Sequence, residues 1–418
     1  MTDVDSGRGR PGRFAGLAPL RERDFSLFLI GWGTTRFGRA IEETGAFWLV
    51  YDLTGSAAML GVLGLARAVP AIGLGPFAGA VADRVNQRRI LQVTQSLGGI
   101  ASLLAGVLIA TGAIEVWHLY VLVAFESSID AFDGGARLAL FPRLVPRALL
   151  SEAVTLNSTA SRTAQLVGPV VGGFAIAIWG VAAPYLLNAV TFLVMILAVA
   201  AMRPTPPLHT AEASYRADMF EGLKHVARAP VLRGLLLLEI VVGIVQINSV
   251  IITVFGREVL DVSPEGLGGL LAAPAFGSVL ALVGFMAFGH ARRQGRFVLW
   301  CALAYSAALF AFASANHYWF AVAVLASIGL LDGLMTVTRH TVMQLVSPPE
   351  MRGRIMGLMG TITRGTGPTG EMQSGAVAGL VGPRVAVLIA GAVLGAAALA
   401  TALTNRPLWR FRRSEDDQ

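Results

Sequence analysis

The chain is dominated by long apolar segments, and this feature restricts its fold more than any other. Twelve runs of about 18 or more mainly apolar residues are separated by short stretches that carry charge, proline or glycine. These runs lie at 25–51, 56–81, 90–110, 116–141, 151–179 and 184–201, and then at 231–254, 266–288, 297–313, 319–345, 353–380 and 385–403. Since about 20 apolar residues cross a bilayer as a helix, the sequence predicts an all-α integral membrane protein with twelve transmembrane helices.

Charge is scarce and unevenly placed. Charged residues make up 14% of the chain, against about 25% in soluble proteins, so a soluble globular protein is excluded. The net charge of +7 comes from arginines in the two tails and in the turns after spans 2, 4, 8 and 10, whereas the opposite turns contain only Arg257 and Arg384. By the positive-inside rule we expect a multi-pass protein of the cell membrane with both termini in the cytoplasm and no nucleic-acid partner.

The two halves of the chain resemble each other. An alignment at a constant offset pairs like residues near the end of each fourth span: Asp130 with Asp332, Arg137 with Arg339, and Pro146 with Pro348. We therefore predict two pseudo-symmetric six-helix bundles, at 25–202 and 231–404, with short tails at 1–24 and 405–418. The linker at 203–230 is polar and contains an apolar period typical of an amphipathic helix on the cytoplasmic face. Thr54 and Ser263 are predicted to cap the starts of spans 2 and 8.

Two short motifs carry a family resemblance. The turn after span 2 contains Gly79, Asp83, Arg84 and Arg88, and span 5 contains Gly168, Pro169, Gly172 and Gly173. With these motifs the chain resembles the major facilitator superfamily over nearly its whole length, although Asn86 stands where the superfamily usually has glycine. The segment from Asp130 to Pro146 resembles the branch of enterobactin exporters and macrolide-efflux proteins.

The resemblance implies roles for the motif residues. The first motif, with Asp133 and Arg137 of span 4, would form a latch that closes the inner gate. Pro169 would bend span 5, because it removes a helix hydrogen bond, and its three glycines would permit close packing that seals the outer half. The resemblance also implies a monomeric secondary transporter that needs no cofactor and takes its energy from a proton gradient.

Charged residues inside the predicted spans are the remaining candidates, because burying charge in a bilayer is costly. Glu126, Asp130, Asp133 and Arg137 share one face of span 4, Arg36, Arg39 and Glu43 share one face of span 1, and Glu239 stands alone in span 7. Two interpretations stay open. The acids carry protons, since a low dielectric favours the neutral carboxyl group, or they form buried ion pairs that join spans. Asp130 is the first candidate for proton coupling, and Glu126 and Glu43 follow it.

The sequence argues against other classes of protein. Lys224 is the only lysine and lies in no phosphate-binding loop, and the six histidines have no metal-ligand spacing. We therefore expect neither an enzyme nor a metal site. The predicted function is proton-coupled efflux of a lipophilic or amphipathic small molecule across the lipid bilayer. The alternative is a transporter of the same fold that imports a polar metabolite such as a sugar or nucleoside, and a membrane enzyme or receptor is a more distant one.

Overall fold

The structure is a computed structural model that describes residues 15–203, 223–288, 293–348 and 350–411, and within them it contains helices and no strand. A 3₁₀ helix, Ala15–Arg21, precedes the first bundle. The first bundle consists of α1 (Arg23–Thr54), α2 (Ala57–Arg84), α3 (Gln87–Ala110), α4 (Val116–Leu140), α5 (Leu150–Trp179) and α6 (Ala183–Ala201). Each of these helices overlaps one of the first six predicted spans.

The second half consists of α7 (Pro230–Val245), α8 (Ser249–Glu258), α9 (Pro264–Phe288), α10 (Gln294–Ala313), α11 (Tyr318–Val346), α12 (Arg352–Val381), α13 (Pro383–Thr404) and the short α14 (Arg406–Arg410). Helices α7 and α8 together occupy the seventh predicted span, so the second half also contains six crossing segments. Of the linker helix predicted within 203–230, residues 204–222 lie outside the described residues, and residues 223–228 are helical.

Eight of the crossing segments in the described residues are long and apolar enough to span a membrane by composition alone. The other four are α1, α4, α5 and α12, which carry more polar side chains. The outer surface of the bundle is apolar, and Leu138, Leu380 and Leu403 are each at least three-quarters exposed. A surface of this kind is suited to hydrocarbon, because lipid offers no partners to polar groups. The polar side chains of these four helices therefore have to face the inside of the bundle rather than lipid.

The two halves meet along two interfaces, which we call the seams. The internal pseudo-symmetry relates one seam to the other. Helix α2 packs against α12, so span 2 meets span 11. Helix α5 packs against α9, so span 5 meets span 8. Small residues allow this close approach, because a Cβ atom added to Gly375 on α12 would overlap the backbone of Gly61 on α2. On the second seam, a Cβ atom added to Gly173 on α5 would overlap the carbonyl oxygen of Pro264.

The seams close one end of the molecule and leave the other end open. At the closed end, which is opposite the chain termini, Arg257 on α8 lies 3.2 Å from Asp52 on α1, and the Tyr51 hydroxyl donates to Glu258 at 2.9 Å. Towards the other end, Cβ atoms added to Gly75 on α2 and Gly357 on α12 would meet nothing within 4 Å, although these residues lie on the same helix faces as Gly61 and Gly375. At these described positions α2 and α12 are apart, and we infer that the halves diverge towards the termini around a cavity that opens at that end.

One predicted cap is wrong and the other is confirmed. Thr54 is the last residue of α1, because Gly55 adopts a left-handed conformation (φ 57°) that ends the helix, so Ser56 caps α2 instead and accepts from the Met59 amide. Ser263 directly precedes α9 and accepts from the Gly266 amide at 3.5 Å.

The seventh span is broken, which its apolar sequence did not predict. Helix α7 ends at Val245, and Asn248 caps α8 by accepting from the Ile251 amide at 3.1 Å. The Asn248 side chain also donates to the Ser374 hydroxyl at 2.8 Å, and the Ile247 amide donates to the Tyr305 hydroxyl at 3.0 Å. Side chains of α10 and α12 thus satisfy polar groups that the break exposes.

Candidate functional site

Ten charged side chains gather where α1, α2 and α4 of the first half approach α12 of the second. They are Arg36, Arg39, Glu42 and Glu43 on α1, Arg67 on α2, Glu126, Asp130, Asp133 and Arg137 on α4, and Glu371 on α12. Arg137 lies in the last turn of α4, and the other nine charges lie about two turns or more from the helix ends. We call this set the charged cluster, and its members fall into four groups.

Arg39 and Asp130 form the first group, an ion pair between α1 and α4. The carboxylate of Asp130 is 40% exposed to the cavity and the guanidinium of Arg39 is 19% exposed, and Arg39 also lies over the ring of Phe192 on α6. The partner of Asp130 comes from another span, because Arg39 reaches it from α1.

Glu42 and Glu126 form the second group, and sequence reasoning missed Glu42. Its buried carboxylate accepts from the Ser102 hydroxyl at 2.6 Å and from the Asn188 side chain, and the carboxyl group of Glu126 lies within hydrogen-bonding reach. Two adjacent carboxyl groups in a low dielectric cannot both be ionised without a large cost, so the pair is suited to share a proton. Ser102 and Asn188, polar residues inside apolar runs, were the available signal.

Glu43, Arg67 and Glu371 form the third group, which joins the two halves. The guanidinium of Arg67 lies 2.7 Å from Glu43 and 3.5 Å from Glu371. The Ser127 hydroxyl on α4 donates to the Arg67 carbonyl oxygen at 2.7 Å and ties this turn of α2 to α4. Arg39 and Glu43 share a face of α1 four residues apart, but in the described part of the chain each pairs with a residue on another helix. Arg67 and Glu371 are charges in the middle of predicted spans, a signal that sequence reasoning passed over.

Asp133 and Arg137 form the fourth group, and their partners lie within the first half. Asp133 is fully buried and accepts from Gln95 at 2.8 Å and Thr94 at 3.2 Å, while Arg137 lies 2.7 Å from it. The guanidinium of Arg137 lies 3.4 Å from the ring centroid of Trp32. Arg36 lies 5.5 Å from the same ring. These contacts hold α1, α3 and α4 together.

Among the other residues predicted for the inner latch, Arg88 donates to the Val199 and Ala200 carbonyl oxygens at the end of α6. It therefore binds the last turn of a helix in its own half, where a cation is favourable. Gly79, Asp83 and Arg84 lie in the last turns of α2. The latch stays a prediction.

The glycine motif of α5 serves close packing on two sides. Added Cβ atoms at Gly168 and Gly172 would meet Ala40 and the Ile41 carbonyl oxygen of α1, and one at Gly173 would meet α9 of the other half. Helix α5 continues through Pro169 from Leu150 to Trp179. The motif therefore stands beside one of the two seams, while the predicted bend stays a prediction.

Among the described residues of the second half, one ion pair is buried. Glu239 on α7 pairs with Arg339 on α11, their side chains are 5% and 3% exposed, and the Thr363 hydroxyl on α12 donates to Glu239 at 2.8 Å. The partner of Glu239 comes from a helix about a hundred residues further along the chain, so the acid joins span 7 to span 10. The pair sits away from Arg67 and stabilises the packing of α7, α11 and α12.

Comparison with known proteins agrees with this architecture. A family model described as transmembrane secretion effector matches residues 14–416. The chain is 26% identical to the multidrug efflux pump Tap of Mycolicibacterium fortuitum over 367 residues, which are 85% of this chain and 89% of Tap. It is 24% identical to the enterobactin exporter EntS of Shigella boydii over 320 residues, which are 75% of this chain and 73% of EntS.

A solved structure has the same fold. The crystal structure of a bacterial homologue of the human lysosomal transporter Spinster, in an inward-facing and unoccupied conformation, aligns with a TM-score of 0.72 at 16% identity. The alignment covers 95% of this chain and 99% of that one.

Proposed function

The chain belongs to the transmembrane secretion effector family of the major facilitator superfamily, and on that premise we propose that it exports lipophilic or amphipathic small molecules in exchange for protons. It is a multi-pass transporter of the cell membrane and not an enzyme. The names of Tap and EntS support export of a drug or a siderophore-like product rather than import of a sugar or nucleoside.

The observation that carries the proposal is the pair of carboxyl groups at Glu42 and Glu126. Glu42 is buried and Glu126 is partly exposed, so the pair connects the protein interior with the cavity between the halves. A proton shared there neutralises a charge that the low dielectric disfavours. We place the coupling proton at Glu126, with Glu43 as a second carboxylate, and assign the ion-paired Asp130 to positioning Arg39.

The two seams support alternating access as the mechanism. The halves touch at the closed end and diverge at the other, so a rocking motion about the central cavity would close one end while it opens the other. With both termini in the cytoplasm, as the arginine distribution favours, the open end faces the cytoplasm and the closed end faces outside. A substrate then enters from the cytoplasm or inner leaflet and leaves at the outer face.

The experiment that tests this proposal compares accumulation of a compound panel in cells that lack or overproduce the protein. The panel contains lipophilic antibiotics, a siderophore, sugars and nucleosides, each labelled so that its internal concentration is measured. We expect overproduction to lower accumulation of at least one amphipathic compound, and a protonophore to abolish the difference. Increased uptake of a sugar or nucleoside without any efflux would contradict the proposal and favour the importer.

A further inference from the structure

Arg67 contacts an acid in each half of the molecule, and no other described ion pair of the charged cluster joins the two halves. Glu43 belongs to the same half as Arg67, whereas Glu371 belongs to the other half. One turn before Arg67, a Cβ atom added to Gly64 would overlap Glu371 and the backbone of α12. The ion contact is therefore part of the α2–α12 seam, which holds the outer end closed.

Both contacts use the Nη1 atom of Arg67, which lies 2.7 Å from Glu43 and 3.5 Å from Glu371, so the two acids compete for one nitrogen. While Glu43 is ionised it lies nearer to Arg67, and its negative charge also opposes that of Glu371. A proton on Glu43 removes both effects, because Arg67 is then left with Glu371 as its anionic partner across the seam. The side chain of Glu43 is 42% exposed and that of Glu371 is 14% exposed, so water in the cavity reaches Glu43 more readily.

Building on the proposed proton coupling, we propose that Arg67 transmits the protonation of Glu43 to the outer gate by shifting from Glu43 towards Glu371. A proton that binds Glu43 in the outward-open state strengthens the α2–α12 seam and closes the outer end. Release of that proton to the cytoplasm weakens the seam and prepares the next opening. This coupling suits the exchange of substrate for protons, because a proton that enters from outside returns the transporter to the state that accepts substrate from inside.

The neighbouring charges leave this competition intact. The other titratable and charged groups that face the three residues are Arg36 on α1, Glu126 on α4 and Tyr185 on α6. Arg162, inside α5, interacts with Asp332 on α11. The remaining described charges on helices packed against α1, α2 and α12 belong to other contacts or to helix ends: Arg39, Glu42, Asp130, Asp133, Arg137, Glu152, Arg233, Glu239, Arg257, Glu258, Glu265 and Arg384. Neither acid of the triad has a second arginine within ion-pair distance among the described residues.

The test measures conformational populations without substrate or gradient, so it is independent of transport. The background is Cys301→Ser, because Cys301 is the only cysteine. Spin labels at positions 53 and 380 report the outer end, labels at 138 and 403 report the inner end, and pulsed electron resonance gives the distances. The variants are Glu43→Gln and Glu371→Gln, each alone and with Arg67→Gln. Arg67→Lys keeps the charge and checks folding, and Glu350→Gln is a control at an exposed acid.

Glu43→Gln and Glu371→Gln should shift the ratio of outer-closed to outer-open molecules in opposite directions. A general loss of folding or stability would not produce opposite shifts. Glu43→Gln should raise the ratio of outer-closed to outer-open molecules by about tenfold, and Glu371→Gln should lower it by about tenfold, as expected for a half-buried ion contact. Arg67→Gln should remove the effect of both substitutions. Shifts in the same direction, no shift, or an effect of Glu43→Gln that survives Arg67→Gln would overturn the proposal. Opposite shifts in a protein that shows no proton-driven efflux would leave Arg67 as the gate residue and refute the proposed function instead.

Discussion

The burial of the ion pair between Glu239 and Arg339 allows us to predict how much stability the protein loses when the pair is broken. The two side chains are 5% and 3% exposed, and they lie on different helices. Glu239→Gln preserves shape but leaves the Arg339 guanidinium without its charge partner. Removal of one member of such a pair typically costs about 3–5 kcal/mol, because the remaining charge is buried without compensation.

The matched control is Asp52→Asn, which breaks another ion pair between helices. Asp52 is 51% exposed and its partner Arg257 is 25% exposed, so water screens the contact and its loss should cost at most about 1 kcal/mol. The double variant Glu239→Gln/Arg339→Gln removes both charges, so it should recover part of the stability that the single variant Glu239→Gln loses.

Cys301 supplies the assay. It is the only cysteine and is 5% exposed, so a maleimide that fluoresces on reaction with a thiol reports unfolding of the detergent-purified protein. We expect the melting temperature of Glu239→Gln to fall well below that of the wild type and of Asp52→Asn. Equal melting temperatures for the two single variants would refute the reasoning that burial decides the strength of these pairs.

Three further predictions test the seams, the orientation and the inner latch. Gly375→Leu should force α2 and α12 apart and populate outer-open molecules, as the distance between labels at 53 and 380 would show, whereas Gly353→Leu, which has open space around it, should leave that distance unchanged. Reporter fusions within 203–230 and after Arg413 should be active only with cytoplasmic reporters, and a fusion active on the outer side would contradict the orientation. Asp83→Asn should reduce turnover and shift the balance between open ends while substrate affinity stays within about threefold, and a selective loss of binding would contradict its role in the latch.

Most of the fold could be predicted because it follows from properties that a sequence carries locally. A run of apolar residues crosses the membrane wherever it occurs, and arginines between runs indicate which side each turn faces. The break between α7 and α8 was not predicted, because Gln246, Asn248 and Ser249 lie within an otherwise apolar run that is long enough for a continuous helix. The break depends on Tyr305 and Ser374, which come from other helices.

The candidate site was predicted only in part, for a related physical reason. Helical periodicity shows that Glu126, Asp130 and Arg137 share a face, and the structure places them together near α1. Periodicity does not identify the helix that this face meets, so it names no partner on another helix. Asp130 binds Arg39, which lies 91 residues away, and Glu43 binds Arg67 rather than the arginine four residues before it. Ion pairs between helices are a property of packing.

The central claim is that substrate leaves in exchange for protons carried by the carboxyl groups of the first half. Its most direct test reconstitutes the protein in vesicles that contain a pH-sensitive dye and follows proton movement when an exported compound is added on one side. The account predicts substrate-dependent proton flux in the wild type and in Glu350→Gln. Glu126→Gln should abolish that flux and uphill transport while downhill exchange of the compound continues, and Asp130→Asn should slow transport without uncoupling it. Undiminished proton flux in Glu126→Gln, or coupled flux that only Asp130→Asn abolishes, would contradict the account.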